Sequence, residues 1–183
     1  NANYNGNGGA IYFSSTGTLT DCNFTGNTAT GDDSYGGAVY FWGQGTVTNC
    51  NFVDNKATGT ASWGGAVYFS STGSVSNCNF TNNTATSQGG AVYFKNTGNV
   101  TNCNFTGNSA RYGAAVYFSR TGSVSNCNFT NNKATGTGSY DGGGAVYFNG
   151  KGDVTNCNFV ENSAYRGGAI FSMGWYTTAD TCI

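Results

Sequence analysis

One six-residue motif recurs along almost the entire chain of 183 residues. It reads GGAIYF in the first copy and GGAVYF, or a close variant, in the others. The seven copies start at Gly8, Gly36, Gly64, Gly89, Gly113, Gly143 and Gly167. A cysteine follows the last alanine of the motif by twelve residues in every copy except the seventh, where the separation is thirteen. Self-similarity at a fixed period indicates stacked repeats. We therefore expect one repeat domain, residues 1–183, with coils that start near residues 8, 36, 64, 89, 113, 143 and 167.

Each copy contains three short segments of β character: AVYF, an aliphatic residue between small polar ones, and CNF. Alternating polarity, with glycine and asparagine between the segments, is typical of short strands. Successive copies are 24 to 30 residues apart, and the variation lies after the cysteine block, which we expect to form surface loops. Three strands per turn of this length predict an all-β fold, a parallel β-helix of about seven coils whose equivalent residues stack about 4.8 Å apart.

The second strand indicates which side chains point inward, because its central residue is always aliphatic while its neighbours vary among polar residues. These central residues are Leu19, Val47, Val75, Val100, Val124 and Val154. In the third strand we expect the cysteine and phenylalanine of CNF inside and the asparagine between them outside. In the first strand we place Val39 and Phe41 inside and Tyr40 outside. The opposite phase, with Ala38 and Tyr40 inside, stays open because neither set varies enough.

Asparagine occupies two fixed phases of the repeat. One set precedes the cysteine, with Asp21 in its place in the first copy: Asn49, Asn77, Asn102, Asn126 and Asn156. The other set follows the phenylalanine of CNF by three residues: Asn27, Asn55, Asn83, Asn108, Asn132 and Asn162. Asparagine tolerates the left-handed conformation that sharp corners need. We expect both sets at corners, with amides that hydrogen-bond from one coil to the next.

The pattern GGA-[Ile/Val] followed by Phe-x-x-Asn resembles the paired repeat motifs of polymorphic outer-membrane proteins. It is also similar to the adhesin-like β-helix proteins of microbial and archaeal surfaces. Its second half reads Phe24-Thr25-Gly26-Asn27 in the first copy and recurs at Phe52, Phe80, Phe105, Phe129 and Phe159. The resemblance covers nearly the whole chain, and it implies the pectin-lyase-like, right-handed β-helix and display on a cell surface.

Composition and charge argue against several function classes. Charged residues make up 8% of the chain and the seven cations are scattered, so nucleic-acid binding has no electrostatic basis. The longest apolar runs are five residues long, far short of a membrane span, and we expect no membrane insertion. A polysaccharide-cleaving site needs carboxylates that converge from adjacent coils, but Asp54 and Glu161 share a phase four coils apart. We therefore expect no catalytic residues and no enzyme activity.

Metal and cofactor sites are not expected either. Asp32, Asp33 and Asp141 are candidates for calcium ligands, and the alternative that we favour is turn residues in Gly/Ser-rich loops. A calcium site uses about six to eight oxygen ligands in a defined loop. The chain has no histidine and no Cys-x-x-Cys pair, which argues against zinc.

The seven cysteines share one inward phase and form a predicted core column: Cys22, Cys50, Cys78, Cys103, Cys127, Cys157 and Cys182. Neighbouring Cα atoms about 4.8 Å apart lie within the range of disulfides, so three bridges and one leftover thiol are one prediction. The alternative that we favour is a column of buried thiols that pack as small apolar groups, because disulfide torsions fit poorly between in-register strands.

Two classes of residue are candidates for surface sites. Asn-x-Thr sequences give candidate glycosylation sites at Asn23, Asn79, Asn82, Asn99, Asn104 and Asn128, although rungs about 4.8 Å apart cannot all carry bulky glycans. Aromatic residues recur in the loops at Tyr35, Trp63, Tyr112, Tyr140 and Tyr165. Together with outward tyrosines of the first strand they can stack on sugar rings or on another rod, or they can pack over the edge of the coils.

These features predict an extracellular or cell-surface rod with a structural or adhesive role. Copies of the chain are expected to stack head to tail into filaments, because the two ends are in complementary phase. The chain starts at Asn1 in the stretch that follows the phenylalanine and stops at Ile183 in the third strand. A fragment of a longer array would give the same phases. The alternatives are a carbohydrate-binding adhesin module, with surface glycans as partners, and an ice-binding protein with hydroxyls on the second strand.

Overall fold

The strands stack coil upon coil into a right-handed parallel β-helix of about six turns. The computed structural model describes residues 6–174 and 177–182. Within these ranges neighbouring strands pair in parallel and in register, so that Val67 lies between Val39 and Val92. The described part of the chain contains no helix, and so none that is long and apolar enough to cross a membrane. The predicted all-β parallel β-helix is confirmed.

Three sheets run the length of the β-helix and confirm three strands per coil. The first sheet contains Ile11–Phe13, Val39–Phe41, Val67–Phe69, Val92–Phe94, Val116–Phe118, Val146–Phe148 and Ile170–Ser172. The second sheet contains Gly17–Thr20, Gly45–Thr48, Gly73–Ser76, Gly98–Thr101, Gly122–Ser125, Gly152–Thr155 and Thr177–Asp180. The third sheet contains Asn23–Thr25, Asn51–Val53, Asn79–Thr81, Asn104–Thr106, Asn128–Thr130 and Asn158–Val160.

Two shorter sheets lie in the stretch of variable length after the third strand. The fourth sheet contains Thr28–Thr30, Lys56–Thr58, Thr84–Ala85, Ser109–Ala110 and Lys133–Ala134. The fifth sheet contains Gly6–Asn7, Asp33–Tyr35 and Ala61–Trp63. The sequence predicted only loops here. Part of the stretch is extended because it lies beside an equivalent segment of the next coil, which supplies partners for its backbone donors and acceptors.

The core consists of columns of like side chains. The phenylalanines of the first sheet stack with ring centroids 4.7–5.0 Å apart, and so do those of the third sheet. Val39 and Phe41 are fully buried in this core, whereas Tyr40 belongs to a separate cluster outside it. The preferred phase of the first strand is therefore confirmed. Ala38 also lies in the core.

Six of the seven strands of the second sheet begin with an inward glycine that the sequence analysis did not single out; the seventh begins with Thr177. At Gly73 a Cβ atom would lie 2.5 Å from Cδ1 of Phe69, whose ring fills that space. Equivalent approaches of a phenylalanine ring occur at Gly17, Gly45, Gly98, Gly122 and Gly152. These glycines allow the first-sheet phenylalanines to pack directly against the backbone of the second sheet.

One of the two predicted sets of corner asparagines was assigned wrongly. The set before the cysteine adopts positive φ of 52–55°, as expected, together with Asp21. In the other set the left-handed residue is the one before the asparagine: Gly26, Asp54, Asn82, Gly107, Asn131 and Glu161, with φ of 54–67°. The asparagine that follows turns its side chain inward instead, and Asn55, Asn83, Asn108 and Asn132 are fully buried.

Candidate functional surfaces

The outer face of the first sheet carries a column of stacked tyrosines. Their ring centroids are 4.8–5.2 Å apart, in the order Tyr12, Tyr40, Tyr68, Tyr93, Tyr117 and Tyr147. These side chains point away from the core, as predicted, yet the column is not open to solvent. From Tyr40 to Tyr147 the tyrosines are only 3–8% exposed, whereas Tyr12 is 48% exposed.

Three of the predicted loop aromatics cover the tyrosine column. Tyr35 stacks on Trp63 at 4.8 Å between ring centroids and lies 5.0 Å from Tyr68. Tyr112 approaches Tyr147 edge-on at 6.0 Å. These three residues therefore pack over the edge of the coils. The remaining two loop candidates are mostly exposed: Tyr140 and Tyr165.

Burial keeps the phenols of this column protonated. Desolvation raises the pKa of Tyr147 to about 12, and Tyr112 and Asp141 add to the rise. The Tyr147 hydroxyl donates to Sδ of Met173 at 2.8 Å. A neutral, covered column of this kind supports the rod mechanically and presents no titratable group to a ligand near neutral pH.

Four candidate glycosylation sites lie in one exposed column on the third sheet: Asn23, Asn79, Asn104 and Asn128. With Asn51 they form an outer amide ladder in which each Nδ2 donates to Oδ1 of the preceding coil at 2.8–2.9 Å. Asn82 lies exposed at a corner, and Asn99 lies exposed on the second sheet, where its Oδ1 accepts from Ser123 Oγ at 2.8 Å. Glycosylation of these six residues stays a prediction.

The second sheet presents two outward columns of mostly hydroxyl side chains. Thr48 and Ser76 are 3.1 Å apart between their hydroxyl oxygens, and Thr101 and Ser125 are 3.2 Å apart. Asn99 and Asp153 interrupt one of the two columns. These hydroxyl groups hydrogen-bond to one another along the rod. Part of the hydrogen-bonding capacity of this face is therefore used without any external ligand.

The structure keeps apart the two carboxylates that share a phase of the repeat. Asp54 and Glu161 occupy the same left-handed corner position, with φ of 55° and 54°, but the strands that they follow are separated by three others in the third sheet. Asp33 begins a strand of the fifth sheet, and Asp32 beside it is exposed. No group of three or more metal-ligating side chains occurs within residues 6–174 and 177–182.

Asp141 holds the longest loop against the preceding coil through an ion pair and a hydrogen bond. Its Oδ2 lies 3.2 Å from Nε of Arg111 and accepts the Gly138 amide at 2.8 Å, and its side chain is 4% exposed. Burial alone would raise the pKa of Asp141, but the Gly138 amide, the Tyr112 hydroxyl and the Arg111 guanidinium outweigh it and hold that pKa below its usual range. Asp141 is thus a structural turn residue, as favoured from the sequence.

The cysteine column is present, and all seven cysteines are free thiols. From Cys50 to Cys157 the column is at most 3% exposed, whereas Cys22 and Cys182 at its ends are half-buried. Each thiol donates to the carbonyl two residues earlier, as Cys50 Sγ does to Thr48 at 3.1 Å. Burial raises the pKa of Cys50 to about 11, which keeps the thiol protonated and unreactive.

Two features were missed in the sequence. The first is the burial of the inner amide ladder, which is formed by Asn27, Asn55, Asn83, Asn108, Asn132 and Asn162. The predicted bonds from coil to coil are present, because Nδ2 of each of the first five donates to Oδ1 of the next asparagine at 2.9–3.1 Å. The regular phase of these residues was visible, but the left-handed corner was assigned to the wrong neighbour. The second is Trp42, which is 60% exposed.

The comparison with known proteins agrees with this architecture. A family model described as a right-handed β-helix region matches residues 9–182. No curated protein and no solved structure matches the chain. The matched region contains all the strands of the three long sheets, and the chain therefore belongs to the right-handed β-helix family.

Proposed function

We propose that this chain is a structural or adhesive rod of the cell exterior, of the adhesin-like type, without catalytic activity of its own. The observation that carries the proposal is the uninterrupted stacking of near-identical coils on a closed core. Columns of phenylalanine, valine and cysteine fill the interior. A molecule built in this way offers length and stiffness, and its outer faces are largely uncharged amides and hydroxyls.

The concave features of the surface support a non-enzymatic role. A depression of about 270 Å³ lies at the corner between the second and third sheets. Its lining consists of Asn126, Asn128, Asn156, Cys157, Asn158 and Thr181, without a carboxylate. General acid and base groups for glycoside cleavage would have to come from elsewhere, and the corner carboxylates are far apart along the rod.

Head-to-tail stacking of copies into a filament stays a prediction from the sequence. Residues 1–5 and Ile183, on which the complementary phase of the ends depends, lie outside the described residues. The general basis is that the first and last strands of a parallel β-helix expose backbone donors and acceptors that a second copy can pair. Sedimentation of the purified chain over a range of concentrations would test it.

The experiment for the proposed function combines location, shape and activity. Antibodies against the chain should label intact cells of the organism that encodes it, and small-angle X-ray scattering of the purified protein should fit the stack of coils. Incubation with neutral and acidic polysaccharides should release no reducing ends. Labelling that requires broken cells, or release of sugars that Asp54→Asn together with Glu161→Gln abolishes, would overturn the proposal.

A further inference from the structure

The corner between the first and second sheets contains one residue that the fold does not need. The equivalent positions in the seven coils are Ser14, Trp42, Ser70, Lys95, Ser119, Asn149 and Met173. At Trp42 the backbone amide donates to Phe13 O at 2.9 Å, and at Ser70 the amide donates to Phe41 O at 2.8 Å. The backbone of this corner is therefore the same with serine as with tryptophan. The indole is 60% exposed, so it adds little to the core.

An exposed tyrosine lies in the strand next to the one that Trp42 follows. Tyr12 pairs with Tyr40, two residues before Trp42, just as Tyr147 pairs with Phe171, two residues before Met173. The Tyr147 hydroxyl donates to Sδ of Met173 at 2.8 Å, so this diagonal relation lets a tyrosine reach the corner residue of the following coil. Tyr12 is 48% exposed, so two aromatic side chains of neighbouring coils are open to solvent.

The surroundings of the pair are polar and uncharged. Along the corner, Trp42 lies between Ser14 and Ser70, and the nearest charged corner residue is Lys95, two coils away. Gln44, in the same corner, is exposed. The backbone is tightly fixed here, because a Cβ atom at Gly43 would lie 2.5 Å from the carbonyl carbon of Ser15. The indole is thus presented from a rigid corner, which limits the entropy lost on binding.

We propose that Trp42 and Tyr12 form a binding site for a neutral saccharide. The C–H face of a sugar ring stacks on an exposed indole, and its hydroxyls pair with amide and hydroxyl groups such as those of Gln44 and Ser14. An anionic sugar or a phosphate would find no cation in this corner at the two coils next to Trp42. The inference rests on the adhesive form of the proposed function and names the ligand class and the residues that hold it.

The other coils show which residue can replace Trp42 without disturbing the fold. Trp42→Ser installs the residue that three other coils carry at this position, so its unfolding temperature should match that of the parent chain. Binding of the purified chain to neutral and uronic-acid oligosaccharides should be measured by calorimetry and on a glycan array. The parent should bind neutral oligosaccharides, and Trp42→Ser should weaken this binding about tenfold or more, a loss of about 1.4 kcal/mol. Ser119→Ala, at the same corner position three coils away, should leave it unchanged.

Three results would overturn the site. One is neutral-sugar binding that survives Trp42→Ser, which would move the site elsewhere and leave an adhesive function standing. Another is the absence of neutral-sugar binding by the parent chain, which leaves a purely structural rod as the function. The third is a change of sedimentation in Trp42→Ser, which would make the indole a contact between copies. Surface labelling and small-angle X-ray scattering test the broader function independently of all three.

Discussion

At the scale of single residues, an asparagine side chain contributes more to stability when the repeat places it in the core than when it places it on the surface. Oδ1 of Asn83 accepts from the backbone amide and from Nδ2 of Asn55, and its own Nδ2 donates to Phe52 O and Asn108 Oδ1. Asn79, four residues earlier, makes amide bonds to the neighbouring coils at the exposed surface. Water can replace the bonds of Asn79 but not those of Asn83.

We predict that Asn83→Ala lowers the free energy of unfolding by roughly 3 to 5 kcal/mol, because it leaves several buried donors and acceptors unpaired. Asn79→Ala removes the same chemical group and should cost less than about 1 kcal/mol. Urea unfolding followed by circular dichroism measures both. Similar losses for the two variants would contradict the difference in burial between the inner and outer ladders.

The inward glycines of the second sheet give a second prediction at this scale. Gly73→Ala places a methyl group against the Phe69 ring and should destabilise the fold by about 1 to 3 kcal/mol. Ser74→Ala, the next residue and outward, should change stability by less than about 0.5 kcal/mol. Thermal unfolding of the two variants checks this. Equal melting temperatures would show that the ring has room to move.

At the scale of elements, each sheet is a column of one strand type, and the sequence predicts these columns to a large extent. The variation between copies identified Val75 as inward and Ser74 as outward, and the structure agrees. It could not show that Asn83 turns inward, because a corner asparagine and a buried one have the same spacing. Nor could it show that the tyrosine column is covered, because Tyr35 reaches Tyr40, and Trp63 reaches Tyr93, from the stretch of variable length.

The burial of Cys50 in the thiol column predicts how the stability of the fold depends on pH. The pKa of Cys50 rises from 9.0 to about 11 on burial. A group whose pKa is higher in the folded state contributes stability below the unfolded value and loses it as the pH rises through the folded value. Stability should therefore fall between about pH 9 and pH 11, by roughly 3 kcal/mol for this one thiol. Tyr147, whose pKa rises to about 12, extends the loss to higher pH.

Chemical unfolding measured at several alkaline pH values tests this loss. Cys50→Ala is the matched control, because it removes one titrating group and should flatten the dependence of stability on pH while lowering stability at neutral pH. A parent chain that is equally stable at pH 8 and pH 11 would refute the raised pKa of the Cys50 thiol.

At the scale of the whole molecule, the chain is a rod whose length follows from the number of rungs. About six steps of 4.8 Å along the three long sheets give a stack on the order of 30 Å. Small-angle X-ray scattering should fit this rod, and far-ultraviolet circular dichroism should show β structure without helix. A helical spectrum, or a scattering curve of an expanded chain, would be incompatible with the stack.

The two amide ladders also set the electrical polarity of the rod. In the inner ladder every amide donates toward the later coils, and the backbone fixes this sense because Asn27 N also donates to Asn55 Oδ1. In the outer ladder every amide donates toward the earlier coils, as Asn51 does to Asn23. Aligned amides sum to a macrodipole, as in an α-helix. Here the two rows run along the rod in opposite sense, so their dipoles oppose, and each added coil contributes little net amide side-chain dipole along the axis.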